Sequence, residues 1–342
     1  MAISKQVPAR CEDVRIAAII PLYNGAPYIH EAIESVLRQT LPPTEIIVVD
    51  DGSTDNGPQI VEQLAREHPI KLLHRPNGGQ SSARNFGIAL CNCDLIALLD
   101  QDDVWYCDHL EQLARPFLQT RTIELGWTYS NVDEIDGQGR MVARSVLRFF
   151  DNVQHPKRDV HGCLSTDMYV LPSASLISRK AFAAVGGFDE RLRGYEDDDL
   201  FLRLFRAGYD NVYMDVALSQ WRMFSRSSSH SPLMAVSRIL YLRKLLEEFP
   251  DDPARGRFWR RDVLLPRFFL PLMAGFANAV RNDDRELMRR SLEDLRFVSR
   301  YHNRWVRAGM KLLLPLLRFP RVARALLVTR TALLPLSRRI LG

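Results

Sequence analysis

The sequence has no CxxC pair and no Cys/His run at metal-ligand spacing. Its five cysteines, Cys11, Cys91, Cys93, Cys107 and Cys163, are odd in number and scattered. That pattern supports neither a structural zinc site nor a disulfide framework, and it fits reduced thiols in a cytosol. No uncharged apolar run approaches the ~18 residues that span a bilayer. The polar stretch Met1–Glu12 also lacks the apolar core of a signal peptide. The expectation is a cytoplasmic chain, neither secreted nor threaded through a membrane. Internal repeats and low-complexity linkers are missing as well. So is a GxGxxG turn: the first apolar strand runs into Pro21-Leu22-Tyr23-Asn24-Gly25, which argues against a dinucleotide-binding oxidoreductase. Finally, acids are missing from the end of the chain. Residues 301–342 carry nine Lys/Arg and no Asp/Glu, against 37 basic and 41 acidic side chains in the first 300. The net charge of +5 is therefore a mildly acidic body with a basic tail.

What is present describes a folded α/β protein. Hydrophobic content of 46% and charged content of 25% suit a packed core, and 342 residues allow one large α/β domain plus an appendage, or two modest domains. Ile16–Ile20, Glu45–Asp50, Lys71–Leu73 and Asp94–Leu99 read as short buried strands. They alternate with helical patterns over Pro27–Gln39, Gly57–Glu67 and Ser81–Leu90. Strand–helix repeats of this length predict parallel strands joined by right-handed crossovers, with ligands beyond the carboxyl ends of the strands. Trp127–Val132 and Ser173–Ile177 read as further strands, Gly137-Gln138-Gly139 as a turn, and Arg179–Val185 and Asp197–Ala207 as helices. From about Pro232 the pattern is helical throughout.

Two acidic clusters fall at strand ends. Asp100, Asp102 and Asp103 place three carboxylates within four residues. They repel one another unless a cation or hydrogen-bond donors offset them, and hard oxygen ligands suit Mg²⁺ or Mn²⁺ together with substrate phosphates. The alternative is a solvated acidic turn capping the next helix. Asp50-Asp51-Gly52-Ser53-Thr54-Asp55 offers carboxylates to a base N–H or ribose hydroxyls, or is simply a capped glycine turn. A third cluster, Glu196-Asp197-Asp198-Asp199, opens a helix. Acids complement a helix N-terminus, but four exceed what a cap needs, and a crowded carboxylate with a raised pKa makes a good general base. Backbone amides at Asn77-Gly78-Gly79-Gln80, or Arg84 itself, would face an anion.

In this order the motifs resemble the family 2 inverting glycosyltransferases of the GT-A fold. The resemblance runs through Ile19–Asn24, Val48–Asp55, Asn77-Gly78-Gly79, Ala83–Gly87, Leu99–Trp105, Gly186–Glu190 and Tyr195–Leu200, and it covers about residues 14–230. It implies a mostly parallel central sheet flanked by helices in a catalytic domain over 14–230, with a helical C-terminal extension over 231–342. It implies a sugar moved from a nucleotide-sugar donor to an acceptor hydroxyl of a glycan or glycolipid by single displacement. Carried over by position, Pro21, Tyr23, Asn24, Asp51, Arg84 and Asp100 fall on the donor-nucleotide side. Asp102 is the first choice for a Mn²⁺ or Mg²⁺ ligand, with Asp103 as a second. Asp197 matches the catalytic base, and Gly187, Phe188, Asp189 and Glu196 the acceptor side. One departure stands out. Many relatives carry Tyr-Arg-x-His after the base, where this chain has Trp221-Arg222-Met223-Phe224. Arg222 or Arg226 would then compensate for the absent histidine, and His230 is not assigned the role. A non-catalytic sugar- or nucleotide-binding scaffold that keeps the fold is the rival reading.

In the tail, Arg304, Arg307, Lys311, Arg318 and Arg321 share one helical face, and Leu312, Leu313, Leu316 and Leu317 occupy others. Pro315, Pro320 and Pro335 predict broken helices. Such a segment either lies on an anionic membrane surface or packs on the catalytic domain. With few aromatics for stacking and no recognised motif, nucleic acid is not an expected partner. The expected location is the cytoplasm, peripheral at the inner face of the membrane.

Overall fold

The structure, a computed structural model, describes residues 14–223 and 232–326. The chain divides into two compact units, residues 1–234 and 235–342.

The first unit begins with β1 (Ile16–Leu22), α1 (Ile29–Leu37), β2 (Glu45–Asp50), α2 (Gly57–Leu64), β3 (Ile70–His74), α3 (Gln80–Leu90) and β4 (Leu95–Leu98). Every residue of β1 and β4 is buried. Runs that are apolar on both faces belong inside a sheet covered on two sides, where only parallel crossovers bring them. The four strands are parallel in the order β3-β2-β1-β4. Pro21 lies opposite Val49 near the end of β1, where a missing N–H costs the ladder least. Leu22, Asp50 and Leu98 therefore bring their following loops to one edge of the sheet.

The unit continues with β5 (Val104–Trp105), α4 (His109–Ala114), β6 (Leu125–Ile135), β7 (Met141–Ala143), α5 (Val160–Ser165), β8 (Ser175–Ser178), α6 (Arg179–Ala184), α7 (Glu196–Arg206) and β9 (Asp210–Arg222). β8 is antiparallel between β4 and β6, β9 runs parallel to β6, and β5 closes the edge antiparallel to β9. β7 folds back on β6 across the expected glycine turn. The sheet is mixed, with β5, β7 and β8 opposed to the rest. β9 is thirteen residues long, yet the sequence pattern does not announce it. Its pairing with β6 shifts register near Leu125, Ser130 and Asn131, and Asp215, Ser219 and Gln220 break the apolar alternation that a strand would show.

The second unit is helical: α8 (Pro232–Glu248), which begins at the end of the first unit, then α9 (Leu265–Arg281), α10 (Arg285–Ser299) and α11 (Arg304–Leu316). Its buried side chains include Leu242, Leu245, Phe268, Phe276, Val280, Leu295 and Val298. The run Trp259–Arg281 is long and apolar enough to cross a membrane by length and composition, and its most apolar window has a mean hydropathy of 1.5. Half of that window is buried, as in a core helix, and Arg267 keeps the uncharged run short of a span. Helix α11 ends just past Pro315, and helix resumes at Pro320, so the tail is broken as the prolines require.

α3 packs on β1 and β2 through Gly87. A Cβ there would meet Ile19 Cγ2 and Val49 Cγ2, each at 3.0 Å. Gly87→Val is expected to destabilise the protein by about 1–3 kcal/mol through overpacking, read as a lower urea midpoint. An unchanged midpoint would mean that α3 does not sit this close.

Candidate active site

The loops after β1, β2 and β4 lock into one corner. The Tyr23 N–H donates to Gln101 Oε1 (2.7 Å), and Gln101 Nε2 donates back to the Tyr23 carbonyl (3.1 Å). Asn24, in the left-handed region at φ 50°, accepts the Thr54 N–H and hydroxyl at Oδ1 (2.8 and 3.1 Å). The Tyr23 side chain stays 48% exposed, whereas Pro21 is buried beneath it. Asp50 accepts the Ser53 N–H (2.9 Å) and pairs with His74 Nδ1 (3.0 Å). Burial alone would raise its pKa, but these bonds hold it below the ordinary value. Asp51 is buried and accepts the N–H groups of Gly78 (3.0 Å) and Gly79 (2.7 Å), with Arg75 Nε at 3.2 Å. Its carboxylate folds the 75–79 loop onto the end of β2.

The acid loop after β4 is held from two sides. The Asp100 N–H donates to Ser173 Oγ (3.0 Å), and Arg84 donates to Asp100 Oδ1. From β9, the Arg222 N–H donates to Asp103 Oδ1 (2.9 Å) and Arg222 Nε to the Asp102 carbonyl (2.7 Å). The same guanidinium reaches Glu31 on α1 (2.6 Å) and lies over the Tyr28 ring at 5.0 Å. Asp103 is thereby buried and engaged with Arg222. Asp102 is left. Among the described residues no side chain bonds to its carboxylate, and burial followed by the charge of Asp100 pushes its pKa up to about 6.

At α7 the four acids also divide. Tyr195 precedes the helix at φ 62°. Glu196 accepts Arg84 Nη1 (2.9 Å) and the Gln80 amide. Asp198 accepts the Met168 N–H (2.8 Å), and Asp199 pairs with Arg203 (2.8 Å). Among the described residues Asp197 accepts only the N–H of Asp198, at Oδ1 (2.8 Å). Burial first, then Glu196 and Asp198, raise its pKa well above the ordinary carboxylate value.

Arg84 corrects an expectation. It does not face an anion in the cleft. It is 1% exposed, lies over the Phe188 ring at 5.4 Å, and bridges Asp100 to Glu196. Burial would lower its pKa, but the two carboxylates raise it further than burial lowers it. The whole Ala83–Gly87 motif works as a docking face. Ser81 donates to the Leu192 carbonyl (2.8 Å), Ser82 to Glu190 (2.5 Å), and Asn85 Nδ2 to the Phe188 carbonyl (2.9 Å). Gly187 sits at φ 73°, and a Cβ there would lie 2.9 Å from Asn85 Oδ1. Phe188 and Glu196 are buried in this contact, and Asp189 pairs with Arg191 (2.7 Å). Of the residues expected on the acceptor side, Phe188 and Glu196 are thus held against α3. Arg222 is likewise fully engaged rather than free to replace a histidine. Phe224, Arg226 and His230 lie outside the described residues.

Among the described residues no three acidic, His or Cys side chains converge as a preformed metal cage. Mg²⁺ and Mn²⁺ need none, because one or two carboxylates plus substrate phosphates suffice. Asp102, crowded by Asp100 and lacking a cation of its own, is a donor set that fits such an ion. Sequence reasoning missed Gln101, Ser173 and the structural work of Arg222. Only the adjacency of Gln101 to the acids signals it; Ser173 sits in a 3-10 turn just before β8 and Arg222 ends β9, and no local pattern shows where either strand pairs.

Arg84→Ala is expected to cost about 3–5 kcal/mol in urea unfolding, since it strands the buried Glu196 and the partly buried Asp100. Adding Asp100→Asn and Glu196→Gln should recover part of the loss. A cost below about 1 kcal/mol, the worth of an exposed pair, would contradict the bridge.

Comparison with known proteins gives the chain a family. Residues 17–186 match glycosyl transferase family 2, and residues 170–227 match the family described as the N-terminal domain of galactosyltransferase. An uncharacterized glycosyltransferase of Rickettsia bellii is 31% identical over 250 residues, covering 68% of this chain and 34% of that protein. A chondroitin synthase of Pasteurella multocida is 29% identical over 194 residues, covering 56% of this chain and 19% of that protein. The chain spans about a third of the length of the first of these relatives. Among solved structures, S. aureus TarS 1–349 in complex with UDP-GlcNAc superposes with a TM-score of 0.62 at 21% identity, over 90% of this chain and 87% of that one. The mannosyltransferase PcManGT of Pyrobaculum calidifontis, in complex with GDP-Man and Mn²⁺, gives 0.54 at 19% identity, over 77% and 75%. By matched motifs, sheet topology and helical extension, the chain belongs to glycosyl transferase family 2.

Proposed function

We propose that the chain is a metal-dependent, inverting glycosyltransferase, with its catalytic domain over residues 14–230 and a helical region over 231–342. The carrying observation is the division within the two acidic clusters. Each leaves one carboxylate without a scaffold partner among the described residues, Asp102 and Asp197, on elements that Arg84 ties together. The exposed Tyr23 ring and Asn24 meet the nucleotide, while Pro21, Asp51, Arg84 and Asp100 shape that end from beneath. Asp102, with Asp103 fixing the loop behind it, would hold Mn²⁺ or Mg²⁺, and such an ion would supply charge neutralisation for the leaving diphosphate. Asp197 takes the proton from the acceptor hydroxyl as its oxygen attacks the anomeric carbon, which inverts configuration there. Gly187, Phe188, Asp189 and Glu196 support the acceptor side. The likeness to folds that carry UDP-GlcNAc and GDP-Man supports a nucleotide-sugar donor. A glycan or lipid-linked acceptor, and a peripheral place at the cytoplasmic face of a membrane, complete the reading.

Asp197→Asn is expected to lower kcat by about 10²–10⁴ with little change in donor KM, measured as nucleoside diphosphate release from UDP- and GDP-sugars. The wild-type rate should rise with pH as Asp197 ionises, on a limb displaced upward from the ordinary aspartate value of 3.8. Full activity in the variant would remove Asp197 from the mechanism.

A further inference from the structure

The exposed surface of α11 is divided differently from its sequence pattern. Met310 and Leu314 are buried within the helical unit, and Leu317 and Ala323 continue that line. On the opposite side Trp305, Leu312 and Leu316 are 74%, 76% and 52% exposed. Their spacing puts them in one narrow sector of a helix with 3.6 residues per turn. Phe319, 60% exposed, follows just past the helix end. At 3.6 residues per turn Arg304 and Lys311 flank this stripe at about 100–120° around the helix, with Arg307 further round towards the buried line. No acid occurs anywhere in residues 301–342.

Large apolar side chains standing together in water, with cations beside them, mark a surface built for contact. The charge decides the occupant. A second copy would bring the same cationic flank against itself, because a two-fold interface pairs a surface with its own image. An anionic bilayer offers acyl chains for the stripe and negative headgroups for the flank. We propose that α11 lies in the headgroup plane of an anionic membrane with Trp305, Leu312, Leu316 and Phe319 inserted. The apolar stripe, rather than the basic face alone, supplies the part of the binding that salt does not screen. This deepens the peripheral placement proposed above and rests on it.

The test uses the full chain and vesicles of phosphatidylcholine with and without phosphatidylglycerol, sedimented at low salt and at about 0.5 M, where charges are screened within a few Å. Wild type is expected to bind the anionic vesicles at both salt concentrations. The triple variant Trp305→Ser, Leu312→Gln, Leu316→Gln should partition at least about 100-fold more weakly at both. Its thermal unfolding and nucleotide binding should not change, so a failure here is separable from a failure of the transferase reading. Arg307→Gln with Lys311→Gln should weaken binding by about tenfold or more at low salt and hardly at all at high salt. The proposal is overturned if wild type ignores anionic vesicles, or if the triple variant binds them as wild type does. It is equally overturned if the stripe instead closes a dimer that the triple variant dissociates.

Discussion

A guanidinium buried to 1% exposure, held between Asp100 and Glu196, is the contact on which the rest of the catalytic unit depends. Burying an ion pair costs several kcal/mol per charge in desolvation, and a well-packed apolar group of similar volume often serves stability as well or better. What the charge gives here is position. Arg84 arises from α3, Asp100 follows β4, and Glu196 opens α7 more than a hundred residues after Arg84 in the chain. An apolar contact would tolerate sliding between these elements. A forked donor between two carboxylates, with the Phe188 ring against it, does not.

Arg222 performs the matching task from the other side. It reaches the acid loop at Asp102 and Asp103, Glu31 in α1 and Tyr28 just before it. With both arginines in place the acid clusters sort themselves. Asp100, Asp103, Glu196, Asp198 and Asp199 are consumed by the scaffold. Asp102 and Asp197 remain, both with pKa values raised by burial and by neighbouring carboxylates.

Much of this was legible in sequence because the signals are local. Runs such as Ile16–Leu22 are apolar on both faces and can only be central strands, and the carboxylates that end β2 and β4 follow directly from strand boundaries. What was not legible depends on partners far away in the chain. Arg84 reads as an anion binder because a lone arginine after a glycine turn gives no hint of the two acids, Asp100 and Glu196, that it bridges. Glu196 and Phe188 read as acceptor contacts for the same reason. β9 hides because its bulges and polar positions obey its pairing with β6 rather than any period of its own. In the tail, the cationic face was visible from spacing, but the exposed leucines were not, since sequence alone does not say which apolar line of an amphipathic helix packs inward.

If the corner around Asp102 binds a nucleoside diphosphate through a divalent ion, calorimetric titration of UDP, GDP and dTDP, each with and without Mn²⁺, into wild type and Asp102→Ala will register it. The expected result is metal-dependent binding of one nucleotide by wild type, lost in the variant while its fold is retained. Binding that is indifferent to Mn²⁺ and to Asp102, or no binding by well-folded wild type, would contradict it.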